Sequence, residues 1–491
     1  MVKYSAMKNK ILFLIIFILL IFTFTSCNKK EDNFIETLTI YTINDFHGSL
    51  EEDGGQYGAA RIANYIKNDR ADKQASIVVS AGDMFQGSAI SNYNHGSTVI
   101  DIMNNIGFDA MTIGNHEFDW SLDTVLAYND GDITNNEANF PFLGANIIEK
   151  ATGSIPNHIE PYTIIEMKNL KIGLIGYIGA GQETDILASM VEPYYFADPF
   201  EVIKEYTYYL RTQEECNIII TIGHDATPSL NKQISSLSGD YAVDCMINGH
   251  SHTVYSDTYR RPDGITIPCI QTGSAGNNVG VITLSIDKTS NTFMGGTSFT
   301  KKMNNNVSKD IEVENIINDL VEETAPVFKR ILCTAGITIN RNMAAKWSAN
   351  AVMRYADASC AFINLGGIRS NAFPIEKDEK VDVAKVYQIM PFDNVVVIFK
   401  LEGRILNNII KYSGLIYSDN IINKNNQYYL NDELIEDEKL YVIASTDFVF
   451  ETASYGFMSS AKDVVYLNVY EKDVLVNDLE QIGINNLWFG K

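Results

Sequence analysis

Between positions 37 and 286, short apolar runs rich in β-branched residues recur between polar, Gly-, Asn- and Asp-bearing turns. Runs of this length and composition read as strands. They include 38–43, 76–81, 110–113, 142–145, 172–177, 217–222, 242–248, 267–272 and 279–286. Between several of them the apolar positions recur every three to four residues, which predicts helices over 58–69, 97–106 and 200–214. Strands alternating with helices predict an α/β layered fold. The closing strands near 267–286 have no helix between them, which points to a mixed or sandwiched sheet. Residues 287–307 are polar and Asn/Lys-rich, and 308–331 form an acidic amphipathic stretch that predicts a linking helix. Beyond it lie further strands at 360–363, 395–401 and 440–444 and a helix at 405–412. The pattern divides the chain into a first domain at 37–302, a connector at 303–332 and a second domain at 333–491.

A chain of 491 residues with 46% apolar and 20% charged residues has ample core for two globular domains. Its net charge of −23 argues against a nucleic acid polymer as partner, because that binding depends on Lys and Arg at phosphates. A small phosphorylated substrate is compatible, since bound divalent cations reverse the local field. At the N-terminus, Lys3, Lys8 and Lys10 precede an apolar stretch at 11–24 and then Thr25-Ser26-Cys27. This is a targeting segment, short for a membrane span of ~20 residues. It resembles a bacterial lipobox with Phe24 at the usual Leu position, so residues 1–27 are expected to be removed up to Cys27. Lipidation of Cys27 would anchor the exported chain to the cell envelope. The other cysteines, Cys216, Cys245, Cys269, Cys333 and Cys360, form no Cys-x-x-Cys and read as buried thiols.

Five of the seven histidines fall in short motifs just after predicted strands. These are Asp45-Phe46-His47, Gly114-Asn115-His116-Glu117, Gly223-His224-Asp225 and Gly249-His250-Ser251-His252, and another strand ends at Gly82-Asp83. Asp-x-His and His-x-His on extended backbone would place both side chains on one side. Asp83 follows a glycine suited to a tight turn and offers two oxygens, enough to bridge two ions. Asp45, His47, Asp83, Asn115, His224, His250 and His252 exceed the four ligands of a single tetrahedral zinc. They fit two divalent ions, Zn, Mn, Co or Fe, roughly 3.5–4 Å apart, the arrangement that clamps both oxygens of an in-line displacement at phosphorus. His116 has a separate role: Asp119, three residues on, would orient its ring and favour the protonated form. His95 and His158 read as surface residues, and no metal role attaches to Glu117.

Together these motifs resemble the calcineurin-like metallophosphoesterases. With the second domain, residues 37–470 resemble the 5′-nucleotidase family, which includes UDP-sugar hydrolases and 2′,3′-cyclic phosphodiesterases. The resemblance implies a four-layer α/β/β/α sandwich joined by a helix to a smaller α+β substrate-binding domain. It implies Asp45, His47, Asp83 and His252 around one metal, and Asp83, Asn115, His224 and His250 around the other. It makes His116 and Asp119 the catalytic dyad. It implies that a metal-bound hydroxide attacks a nucleotide phosphate, and that the second domain rotates to deliver substrate.

In the second domain, Asn364-Leu365-Gly366-Gly367-Ile368-Arg369 joins glycines that admit a ligand to a planar guanidinium fork. Phe392 and Phe448 follow turn or strand ends and are candidates to sandwich a base. The resemblance implies substrate contacts from Asn364, Gly366, Gly367 and Arg369, and base stacking by the two Phe. Two loops depart from the family. Residues 341–346 replace an Asn/Gly-rich segment, with Arg341 as a candidate phosphate ligand, and 452–457 lack the Asp that would bind ribose hydroxyls. UDP-sugars and 2′,3′-cyclic nucleotides therefore stay open as substrates, as does a catalytically silent, nucleotide-binding surface lipoprotein. Oligomeric state is not read from the chain.

Overall fold

The computed structural model describes residues 34–52 and 55–489. The targeting segment and Cys27 lie outside the described residues.

Two six-stranded sheets carry the first domain. One runs in the order Phe293–Lys302, Asn278–Ile286, Thr37–Ile43, Ser76–Ser80, Ala110–Thr112, Phe142–Leu143. The other runs Val254–Arg260, Thr266–Thr272, Cys245–Asn248, Ile218–His224, Leu170–Ile178, Tyr162–Met167. The inner pairings of the second sheet are parallel and its outermost strands antiparallel. Successive side chains of a strand face opposite ways, and the two faces go to two cores. Ile40, Val79 and Leu143 of the first sheet meet Leu174, Ile220 and Met246 of the second. Tyr41, Val78 and Met111 turn the other way, onto Ile62, Ile66, Val99 and Met103 of helices Ala59–Arg70 and Ser97–Ile106. Ile203, Leu210 and Ile234, from helices Pro199–Thr212 and Pro228–Ser235, cover the outer face of the second sheet. The result is the expected α/β/β/α sandwich. Burial on both faces explains why the central strands read as continuous apolar runs.

The polar stretch 287–307 conceals a ten-residue strand, Phe293–Lys302, paired antiparallel with Asn278–Ile286. It is a sheet edge with Met294 and Phe299 exposed, so its composition is that of a surface.

Helix Ile311–Phe328 begins with Asp310, whose side chain caps the Val313 amide and pairs with Lys67 at 2.9 Å. Val313, Ile317 and Leu320 are buried in the same core as Ile62, so this helix belongs to the outer layer of the first domain. At its end, Phe328 meets Tyr93 on one side and Tyr387 on the other. The second domain is α+β. A five-stranded sheet runs Leu415–Tyr417, Cys360–Asn364, Leu440–Thr446, Val395–Glu402, Lys462–Tyr470, and helix Arg341–Tyr355 packs against it. The five described cysteines are buried and unbridged.

Glu471 is fully enclosed where helix Glu471–Ile482 begins. Burial pushes its carboxyl up to about 7, opposed by the hydrogen bond donated by Ser348 and reinforced by Asp447. A carboxyl raised on folding contributes fully below its unfolded value and loses that contribution as pH rises through the folded one. Glu471→Gln should therefore raise the melting temperature clearly at pH 8 and little at pH 5. An equal shift at both values would show that Glu471 is not held protonated.

Candidate functional site

Each predicted donor sits at the carboxyl end of a sandwich strand, where open α/β sheets bind ligands. Asp45 and His47 follow Thr37–Ile43, and Asp83 follows Ser76–Ser80. Asn115 and His116 open the short turn Asn115–Phe118, His224 ends its strand, and His250 and His252 follow Cys245–Asn248. The alignment of Asp45 with His47 and of His250 with His252 does not come from strand alternation. The strands stop first, and Asp45, His47, Asp83, His250 and His252 have φ of 49°, 51°, 57°, 77° and 56°. Non-glycine residues rarely adopt this left-handed region, and each costs about 1–3 kcal/mol. Tight left-handed turns, rather than an extended segment, aim these side chains inward.

The donors converge. His252 Nε2 lies 3.3 Å from Asp45 Oδ1 and 3.0 Å from His47 Nε2. His224 Nε2 lies 3.2 Å from Asp83 Oδ2 and 3.0 Å from Asn115 Oδ1, which is also 3.0 Å from His250 Nδ1. Three overlapping groups have the spacing of a metal site: Asp45–His47–His252, Asp45–Asp83–His224 and His47–Asp83–His116. The rings are oriented from behind, as metal-ligating imidazoles are. His47 Nδ1 faces the Gln86 carbonyl at 3.0 Å and His224 Nδ1 the Ala81 carbonyl at 2.7 Å, leaving Nε2 of each for a cation. The chemistry of this donor set, carboxylate, imidazole and amide oxygen, fits a divalent metal.

His116 differs from the others. Its Nδ1 is 2.8 Å from Asp119 and its Nε2 is 3.2 Å from the Arg369 guanidinium. A cation at that nitrogen would sit against Arg369, so His116 is the least suited of the group to a metal. Burial disfavours its charged form, but the carboxylates of Asp119 and Asp83 outweigh that and raise its pKa.

Glu117, set aside on sequence, is fully buried and central. Its carboxylate accepts the amides of Asp83, Met84 and Gly114 at 2.9, 2.9 and 2.7 Å. Burial and the Asp83 charge push it up to about 7 against those amides. The acidic residue inside Gly-Asn-His-Glu was its only signal. Gly114 is required by close approach, since a Cβ there would collide with Asp83 Oδ1 and lie 2.8 Å from His224 Nδ1.

A cavity of about 1080 Å³ joins this cluster to the second domain. Asp83, Asn115, His116, Asp119, His250 and His252 line one side, and Asn364, Gly366, Gly367, Arg369, Phe392 and Phe448 the other. Arg369 lies 4.7 Å over the Phe392 ring, which stacks on His116 at 5.7 Å. Phe448 packs against the second-domain core. Arg341 is occupied elsewhere: it donates to the carbonyls of Ile368 and Leu365 at 2.6 and 2.7 Å and so braces the Gly366–Arg369 loop. His95 is exposed but borders the cavity beside Trp120, 5.1 Å between rings; His158 is a surface residue away from it.

Residues 38–254 match the calcineurin-like phosphoesterase family and residues 333–459 the 5′-nucleotidase C-terminal domain. The chain is similar to a snake venom 5′-nucleotidase from Gloydius brevicauda, 26% identical over 422 residues, 77% of this chain and 70% of that protein. It is 25% identical to the 5′-nucleotidase of Bos taurus over 433 residues, 77% of this chain and 71% of that one. In fold it matches the crystal structure of a 5′-nucleotidase precursor from Thermus thermophilus, with TM-score 0.76 at 19% identity, covering 93% of this chain and 100% of that one. A donor cluster of this chemistry, on a sandwich followed by this second domain, places the chain in the calcineurin-like phosphoesterases that carry a 5′-nucleotidase C-terminal domain, hydrolases of phosphoesters.

Proposed function

We propose that the chain is an exported, dimetal 5′-nucleotidase that removes phosphate from a nucleotide. The observation that carries this reading is the position of His116, oriented by Asp119, between the donor cluster and Arg369 in one cavity. Asp45, His47, Asp83 and His252 would hold one divalent ion, and Asp83, Asn115, His224 and His250 the other. When bound, such ions acidify water and neutralise phosphoryl oxygens. Their charge would offset the acidic lining, where Asp83, Asp119, Asp185, Asp393, Asp447 and Glu451 face the guanidinium of Arg369.

The chain's own residues do the rest. Arg369 clamps phosphoryl oxygens through its planar fork. Protonated His116 donates to the oxygens that gain charge or to the leaving group. Asn364, Gly366 and Gly367 form the adjoining wall, and Phe392 and Phe448 hold the base. Residues 37–302 act as catalytic domain and 333–491 as substrate domain, and 303–332, its helix Ile311–Phe328 packed on the first, leads from one to the other. A lipid on Cys27 would fix the enzyme to the cell envelope. The 452–457 turn, with Ser454 and Tyr455 where an acid is expected, favours testing nucleotide sugars and 2′,3′-cyclic nucleotides alongside.

Purified chain with Mn, Co or Zn should release phosphate from AMP, and EDTA should abolish it. His116→Ala should lower kcat by about 10²–10⁴. Phosphate release from p-nitrophenyl phosphate but not from AMP, UDP-glucose or 2′,3′-cyclic AMP would overturn the nucleotide assignment. Silence on all four with any metal would leave a binding protein.

Glu117→Ala strands three buried amides, each worth about 1–3 kcal/mol, and frees the turn that aims Asp83. Metal affinity, measured by calorimetric titration with Mn, should fall about 10–100-fold. Wild-type affinity in this variant would mean the Asp83 turn holds itself.

A further inference from the structure

We propose that Asn92 is a positioning residue that latches the second domain over the metal cluster and sets the affinity for substrates that reach Phe392. The inference rests on the nucleotidase reading for its substrate, though the latch itself does not. Asn92 lies in the short helix Ala89–Tyr93 of the first domain and is 8% exposed. Its Nδ2 donates to the Pro391 carbonyl at 2.8 Å, a contact across 299 residues of chain. Its Oδ1 accepts the Gly87 amide at 2.9 Å. These partners fix the orientation of the amide, because reversing it would set oxygen against a carbonyl and NH₂ against an N–H.

Each partner leads to a functional group. Gly87 packs on His47: a Cβ there would lie 2.7 Å from His47 Cβ, and the next residue, Ser88, donates its amide to the His47 carbonyl at 3.1 Å. Pro391 precedes Phe392, the ring stacked on His116 and covered by Arg369. One buried side chain therefore ties the loop supporting a metal donor to the turn presenting the aromatic wall. A buried amide satisfied at both ends is costly to break at either. Gln86, on the same loop, faces Arg369 at 3.5 Å and adds little at that length. Asn92 supplies the closer tie.

Asn92→Asp separates the two ends. The carboxylate keeps an acceptor for Gly87 but loses the donor to Pro391 and sets an oxygen against its carbonyl. We expect KM for AMP to rise at least fivefold, a smaller loss in kcat/KM for p-nitrophenyl phosphate, which carries no base but still meets Arg369, and bound metal unchanged. Amide exchange at 392–394 should accelerate while that at 83–88 stays as in wild type. Asn92→Gln, which restores a donor on a longer arm, should recover part of the AMP affinity. Equal losses on both substrates with loss of metal would assign Asn92 to the Gly87 loop alone and overturn the latch. So would unchanged exchange at 392–394. A wild-type enzyme inactive on AMP but showing the exchange difference would remove the nucleotidase reading and keep the latch.

Discussion

The site depends on backbone held in the left-handed region by residues other than glycine. Five donors sit there, and each turn carries a conformational cost. Such turns persist only where their surroundings over-determine them. Here the turns hold one another. The Asp45 amide donates to Gly82 and the His47 amide to Asp83, both at 3.0 Å, while the Asp45 carbonyl accepts Ala275 at 2.8 Å. The His250 amide donates to Asp45 at 3.0 Å. Glu117 gathers the amides of the Asp83 turn, and the core shared by the two sheets fixes the strands beneath. Preorganised donors need no rearrangement to meet a cation, which is what a metal site on a rigid scaffold supplies.

Charge explains the division between domains. The first domain contributes carboxylates and imidazoles, a set that attracts cations and repels phosphate. The guanidinium that balances it comes from the second domain, on a loop braced by Arg341. Arginine suits this place because its fork matches phosphate geometry and it stays charged beside His116. The proposed anion site is therefore complete only when the domains meet. Helix Ile311–Phe328 is packed into the first domain, so any rotation of the second must pivot beyond Phe328, where Phe328 and Tyr387 touch.

Much of this was legible in the chain because buried strands and chelating side chains leave strong signals. The central strands are apolar on both faces, and Asp45, His47, Asp83, Asn115, His224, His250 and His252 are rare residue types clustered after them. Edge strands were not legible. Phe293–Lys302 buries one residue of ten and reads as a polar loop. Turn conformation was also hidden, since nothing in Asp-x-His says that φ is positive. Glu117 and Asn92 escaped for a third reason. Their roles are to satisfy amides and carbonyls of distant segments, and backbone partners carry no sequence signature. Arg341 is only a candidate ligand in sequence, because its charge is visible there and its carbonyl partners are not.

These differences in legibility follow a physical division. The chemistry is set by strand ends in a sandwich whose cores tolerate little change, so its residues are recognisable at low identity. In the proposed reading substrate choice falls to loops and an edge strand of the second domain, where Tyr466 and Tyr470 are exposed along the cavity. Such segments vary at small cost to stability. Fold likeness to a 5′-nucleotidase at 19% identity therefore speaks for the shared scaffold. In the proposed reading the base-side wall is Phe392, Phe448 and Glu451, which line the second-domain side of the cavity.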